Sequence, residues 1–163
     1  MQKSKVLAGL SVVAGLAVVM TGVSIAQNVD AVKNRRAAMK AIAQAGSPNF
    51  QMLKGTAPFD LAKVQAGLKA YQEEGVKFKG LFADDSKTGG ETEAAPKIWL
   101  AKADFEKAVD TFIGTAKAAA EAIKDEATFK TEYPKVASSC GGCHKDADGF
   151  APKLSESIKR LKQ

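Results

Sequence analysis

Cys140-Gly141-Gly142-Cys143-His144 uses both cysteines of the chain and its one histidine within five residues. Two thiols at that spacing can each add across a vinyl group of a haem, and a histidine directly after the second reaches the iron from the proximal side. A chain tethered in this way has to fold around a flat, rigid macrocycle. Other uses of the run fit less well. A zinc site takes four ligands, and no further Cys or His exists to complete a set with Cys140, Cys143 and His144. A thioredoxin-like pair belongs in a βαβ unit, which the Ala- and Lys-rich surroundings do not offer. A structural disulfide leaves His144 without a role. The run therefore predicts one haem c per chain, bound covalently through Cys140 and Cys143, with His144 on its iron.

The N-terminus points the same way. Lys3 and Lys5 precede an uncharged apolar run over 6–23, and Ser24-Ile25-Ala26 sets small residues before a cleavage point at Gln27. The pattern predicts an export signal over 1–26 and a mature domain over 27–163. A periplasmic location follows, because c-type haem is attached outside the bacterial cytoplasm. An uncleaved anchor is the alternative, since the run approaches the ~20 residues that span a bilayer. An amphipathic pattern begins near Asn28, however, and leaves no linker to lift a domain off a membrane. Without Lys3 and Lys5 the formal charge falls from +6 to +4. That balance is mild and dispersed, with no basic stretch interleaved with stacking aromatics, so nucleic acid is not an expected partner. The 163-residue chain less its first 26 is the size of one domain with one core.

Helical periodicity runs through that domain, and no segment alternates with period two for long. Val32, Arg35, Met39 and Ile42 share a face of a first helix, which Gly46-Ser47-Pro48 is expected to end. Pro58-Phe59-Asp60 opens a second, carrying Leu61, Val64, Leu68, Tyr71, Phe78 and Phe82 past Gly75. A polar loop over 83–97 follows, holding Gly89-Gly90. A third helix is expected over 98–124, with Phe105, Val109, Phe112, Ala116 and Ile123 on its stripe. A fourth starts near Glu126 and carries Phe129, Val136, Cys140, Cys143 and His144 towards one side, with a kink expected at Pro134. The fold class is all-α: an antiparallel up-down four-helix bundle with the haem attached on the C-terminal helix.

The motif sits about twenty residues from the C-terminus. On the last helix of a bundle, it resembles the class II cytochromes c, the cytochrome c′ family, itself a standard example of the up-down four-helix bundle. The resemblance covers the whole mature chain. Ala31-Val32-Lys33-Asn34-Arg35-Arg36-Ala37-Ala38-Met39-Lys40 is similar to the family's first-helix segment. Met52-Leu53-Lys54-Gly55 with Pro58-Phe59-Asp60 resembles its approach to the second helix, and Ile98-Trp99 with Phe105 the start of its third. One position departs from the pattern. Relatives usually carry a basic residue four after the haem histidine, and here that residue is Asp148; Lys145 and Lys153 are the nearby cations that could substitute.

The far side of the iron sets the function. The resemblance places Met39 at the family's distal position, four residues after Arg35 and on the same helix face. Arg35 on an apolar seam calls for an anion, because a buried unpaired charge is costly, and the family uses the equivalent arginine on a haem propionate. Arg36 points about a hundred degrees away and is expected at the surface. Methionine on a helix face is commonly core filler, yet the Arg35-x-x-x-Met39-Lys40 string resembles the low-spin, methionine-ligated branch. Met52, the only other methionine beyond residue 26, is expected in or near a loop. The expectation is His144/Met39 axial ligation and a one-electron carrier; the alternative is a five-coordinate iron that binds NO or CO. Expected partners are periplasmic or membrane redox proteins, or those small gases. The family often dimerises through its first two helices, and a homodimer is compatible with this chain, although Lys63 and Lys69 charge the outer face of helix two. With His144 committed to iron, no Ser, His or carboxylate constellation is left for an enzyme. Trp99, Phe105 and Tyr133 read as core or haem-edge packing.

Overall fold

The computed structural model describes residues 28–88, 90–145 and 149–161. The expected export segment, its cleavage point and Asp148 lie outside them. Helices are α1 Val29–Leu53, α2 Leu61–Lys79, α3 Lys97–Leu100, α4 Lys102–Ala122, α5 Glu126–Ser139 and α6 Leu154–Leu161. The four long ones, α1, α2, α4 and α5, form the bundle: α1 packs on α2, α2 on α4 and α4 on α5.

Each start carries its own chemistry. The Asn28 side chain accepts from Ala31 N–H to cap α1, and the Asp60 side chain accepts from Lys63 N–H to cap α2. Asp125 and Thr128 form a reciprocal capping box on α5, so the three-residue break between Ala122 and Glu126 turns cleanly into the last long helix.

The first helix departs from expectation. It runs through Gly46-Ser47-Pro48 without ending. Tertiary packing overrides the breakers: a Cβ built on Gly46 would sit 1.9 Å from the Tyr71 hydroxyl, so the glycine marks where the Tyr71 side chain of α2 lies against α1. The actual stop is Gly55, at φ 71°. Gly55 N–H bonds Met52 C=O at 3.0 Å and Thr56 N–H bonds Gln51 C=O at 2.9 Å, the paired closure of a Schellman end. Met52 accordingly lies in the last turn of α1 rather than in a loop. It is buried, and its sulfur accepts from Asp60 N–H at 3.1 Å.

The expected third helix is divided. Ala101, at φ −131° and ψ 53°, separates the single turn α3 from α4. The stretch expected as a polar loop also contains a 3-10 turn over Asp84–Ser86, with Ser86 fully buried. Pro134 lies inside α5, which continues to Ser139. The helix stops there, so Cys140–Gly142 forms a 3-10 turn at its end instead of a further stretch of α-helix. Two adjacent glycines have low helix propensity, and a tightened last turn is a common helix ending.

Up-down order brings the α1 N-terminus, α2 C-terminus, α4 N-terminus and α5 C-terminus to one end. Phe82, Ile98, Phe105, Val109 and Phe150 form the core at that end, with Trp99 and Cys143 packed against it. The opposite end holds Met52, Val64, Leu68, Tyr71, Ile123, Phe129, Tyr133 and Val136. There Tyr71 and Tyr133 share a hydrogen bond of 2.9 Å between their hydroxyls, and burial pushes the Tyr133 phenol up to about 12. Among the described residues no helix is long and apolar enough to cross a membrane.

Candidate functional site

The Cys140–Gly142 turn holds the two thiols and the imidazole close together. Cys143 N–H and His144 N–H both reach the Cys140 carbonyl, at 3.3 and 3.0 Å. Both cysteines are free and half-buried. Burial raises the Cys140 thiol, and burial with the neighbouring Cys140 pushes Cys143 up to about 11. Neither sulfur is therefore a standing thiolate at neutral pH, which argues against a reactive nucleophile or a redox dithiol.

His144 Nδ1 lies 2.9 Å from the Pro152 carbonyl oxygen. A carbonyl has no proton to give, so Nδ1 is the donor. The Nε2 lone pair is then the nitrogen left to bind a metal. Ser157, itself buried, sits 3.5 Å from the same Nδ1 and donates to Glu93 Oε2 at 2.6 Å.

Across the same end of the bundle, Arg35 is buried at 4% exposure. Its guanidinium stacks over the Phe82 ring at 4.7 Å and the Trp99 ring at 5.4 Å. Nε donates to the Ala31 carbonyl at 3.4 Å and Nη2 to the Ser86 carbonyl. Among the described residues Nη1 is buried with no hydrogen-bond partner. Burial alone lowers the Arg35 pKa from its ordinary value, but a guanidinium keeps its charge. An orphaned cationic donor among aromatic faces is a position that an anion would complete. Arg36 instead reaches Glu91 at the surface, at 2.7 Å, as its helical angle predicts. Met39 is half-buried one turn along α1 from Arg35. Trp99 donates its indole N–H to the Ala83 carbonyl at 3.2 Å and is half-buried, whereas Phe105 is fully enclosed.

These residues suit a haem. Two undisulfided thiols three apart, an imidazole with Nε2 free, and an orphaned arginine N–H match the vinyl groups, iron and propionate of one macrocycle. Sequence reading missed Ser86, Pro152, Ser157 and Glu93. Three of these act through positions remote in the chain, and Pro152 and Ser86 act through backbone carbonyls that no side-chain pattern reveals.

The chain matches the family model described as Cytochrome C′ over residues 30–146. Cytochrome c′ of Rhodopseudomonas palustris is 42% identical over 137 residues, covering 84% of this chain and 93% of that protein. A solved structure of cytochrome c′ from that organism matches with a TM-score of 0.72 at 42% identity, covering 77% of this chain and 98% of that one. Cytochrome c-556 of the same organism is 30% identical over 139 residues, covering 83% and 93%. A nitric oxide complex of a cytochrome c′ mutant from Alcaligenes xylosoxidans aligns with a TM-score of 0.66 at 28% identity, over 78% of this chain and 98% of that one. The chain belongs to the cytochrome c′ family of four-helix-bundle c-type cytochromes. As a member it carries haem c, one per chain and covalently attached. The comparisons do not support placing it in a low-spin, methionine-ligated branch: the greater likeness is to cytochrome c′, and the six-residue string Arg35–Lys40 is too short to outweigh it.

Proposed function

We propose that this chain is an exported, high-spin cytochrome c′ that binds NO or CO on the face of its haem opposite His144. Cys140 and Cys143 would each form a thioether, the sulfur bonding to a vinyl carbon and the thiol hydrogen passing to the other carbon of that vinyl. His144 would bind the iron through Nε2, and Arg35 Nη1 would meet a propionate. The haem supplies a redox-active iron with a coordination site for a small neutral gas. The protein's part is to fix the imidazole, neutralise a propionate and surround the distal face with apolar side chains. In this reading the protein is a binding protein rather than an enzyme, works in the periplasm, and meets redox proteins there that keep its iron reduced.

The observation that carries the proposal is the 42% identity to a cytochrome c′ across 84% of the chain, against 30% for cytochrome c-556. A second reading has one specific support. Met39 stands on the Arg35 face of α1, where a thioether could fill the sixth position and make a His/Met electron carrier. The reduced holoprotein distinguishes them. A high-spin visible spectrum and immediate saturation by CO or NO support the gas-binding reading, with Met39→Leu leaving both unchanged. A low-spin spectrum that turns high-spin only in Met39→Leu would reverse the order of the two readings.

A further inference from the structure

The chain does not leave the attachment motif; it folds back across it. Gly149 and Phe150, five and six residues after His144, are buried. Phe150 N–H and Ala151 N–H both reach the Cys143 carbonyl at 3.1 Å, and His144 pairs with Ala151 in a parallel bridge. Phe150 is pinned from its other side, its carbonyl accepting from Ala95 N–H at 2.9 Å and its ring meeting Phe105 at 5.4 Å. The return is tight enough to need glycine: a Cβ on Gly149 would lie 2.8 Å from Lys145 N and 2.9 Å from the Ala151 carbonyl oxygen. This anchored loop presents the Pro152 carbonyl to His144 Nδ1 at 2.9 Å. Behind it, buried Ser157 in the first turn of α6 lies 3.5 Å from Nδ1 and donates its hydroxyl hydrogen bond to Glu93 at 2.6 Å.

We propose that the segment over 149–157 is a proximal brace. The Pro152 carbonyl is its main positioning group and Ser157, backed by Glu93, its second; together they hold the imidazole with Nδ1 protonated and Nε2 aimed at the iron. An acceptor on the distal nitrogen of a ligating imidazole fixes the ring and raises its basicity as a ligand. A more basic proximal nitrogen favours ferric iron and so lowers the reduction potential. The inference rests on the reading of His144 as the proximal ligand. It gives the C-terminal segment a role at the haem that neither the attachment motif nor the bundle requires.

Nitrogen-15 NMR of the reduced, CO-saturated holoprotein tests it, since that state is diamagnetic. The expected result is a His144 ring carrying the ring-current shift of a haem-bound imidazole and a downfield Nδ1–H protected from exchange. Gly149→Ala should move that proton upfield, speed its exchange about tenfold, the equivalent of one hydrogen bond, and raise the reduction potential. Ser157→Ala should shift both in the same direction by less, Ser157→Thr should restore them, and Pro152→Ala, which keeps its carbonyl, should match wild type. If Gly149→Ala fails to accumulate as holoprotein, the Ser157 pair decides. A haem-bound His144 ring without a protected Nδ1–H, or variants with unchanged exchange and potential, overturns the brace while leaving the site intact. A His144 ring with no ring-current shift overturns the reading of the site, and the brace with it.

Discussion

Arg35 shows how a single side chain constrains the holoprotein. It is buried, aromatic-flanked and short of one hydrogen-bond partner, and a charge in that state costs several kcal/mol unless an anion completes it. If Arg35 meets a propionate as proposed, Arg35→Leu should therefore lower the reduction potential of the holoprotein, because removing that cation favours the ferric state. Arg35→Lys should fall between, since an ammonium supplies charge but not the planar fork. A potential unchanged in Arg35→Leu would mean that the guanidinium serves packing alone. The thiols give a second residue-level test. With Cys143 held up to about 11, alkylation at Cys143 in the haem-free chain should be slow at neutral pH. The rate should keep rising towards pH 11, because only the thiolate attacks. A plateau near pH 9 would show that Cys143 is not enclosed as described.

At the scale of elements, the contest between propensity and packing is settled at Gly46. Gly→Ala inside an exposed helix stabilises by about 0.5–1 kcal/mol, and Gly46 lies well inside α1. Here the added methyl meets the Tyr71 hydroxyl and threatens its bond to Tyr133. Overpacking costs about 1–3 kcal/mol, so Gly46→Ala should destabilise, seen as a lower denaturant midpoint with an unchanged slope. A raised midpoint would show that α2 can move aside. This is also where sequence reading went astray. Gly46-Ser47-Pro48 looks like a terminator when only neighbours in the chain are considered, and the glycine is instead a contact point for another helix. The true terminator, Lys54-Gly55, was in view as part of a family-like string, but nothing local ranks it above the earlier breakers. By contrast the starts of α2 at Pro58-Phe59-Asp60 and of α5 near Glu126 were legible, because the signals that open a helix act within three residues.

The whole molecule carries the remaining predictions. Acid–acetone treatment should leave the haem with the polypeptide, and a Cys140→Ala, Cys143→Ala double variant should lose it. Retention by the double variant would remove the basis for covalent attachment. If the segment over 1–26 is an export signal, the intact mass of the periplasmic product should equal residues 27–163 plus one haem. A membrane-bound product retaining residues 1–26 would mean an anchor.

The heptad stripes carried most of the architecture: Val64, Leu68, Tyr71, Phe105, Val109, Ala116, Ile123, Phe129 and Val136 are all buried, because amphipathic spacing needs only the helix period to predict an inward face. The attachment chemistry was equally local, five residues whose spacing matches two vinyl groups and an iron. What the sequence by itself determined, then, was the helical class, the stripes and the tether. The tertiary structure decided the rest: the continuation of α1 through Pro48, the aromatic seat of Arg35 with its Ser86 acceptor, and the Pro152 carbonyl on His144. Each of these depends on residues brought together from distant parts of the chain or on backbone groups every residue shares, and neither leaves a period or a motif to read.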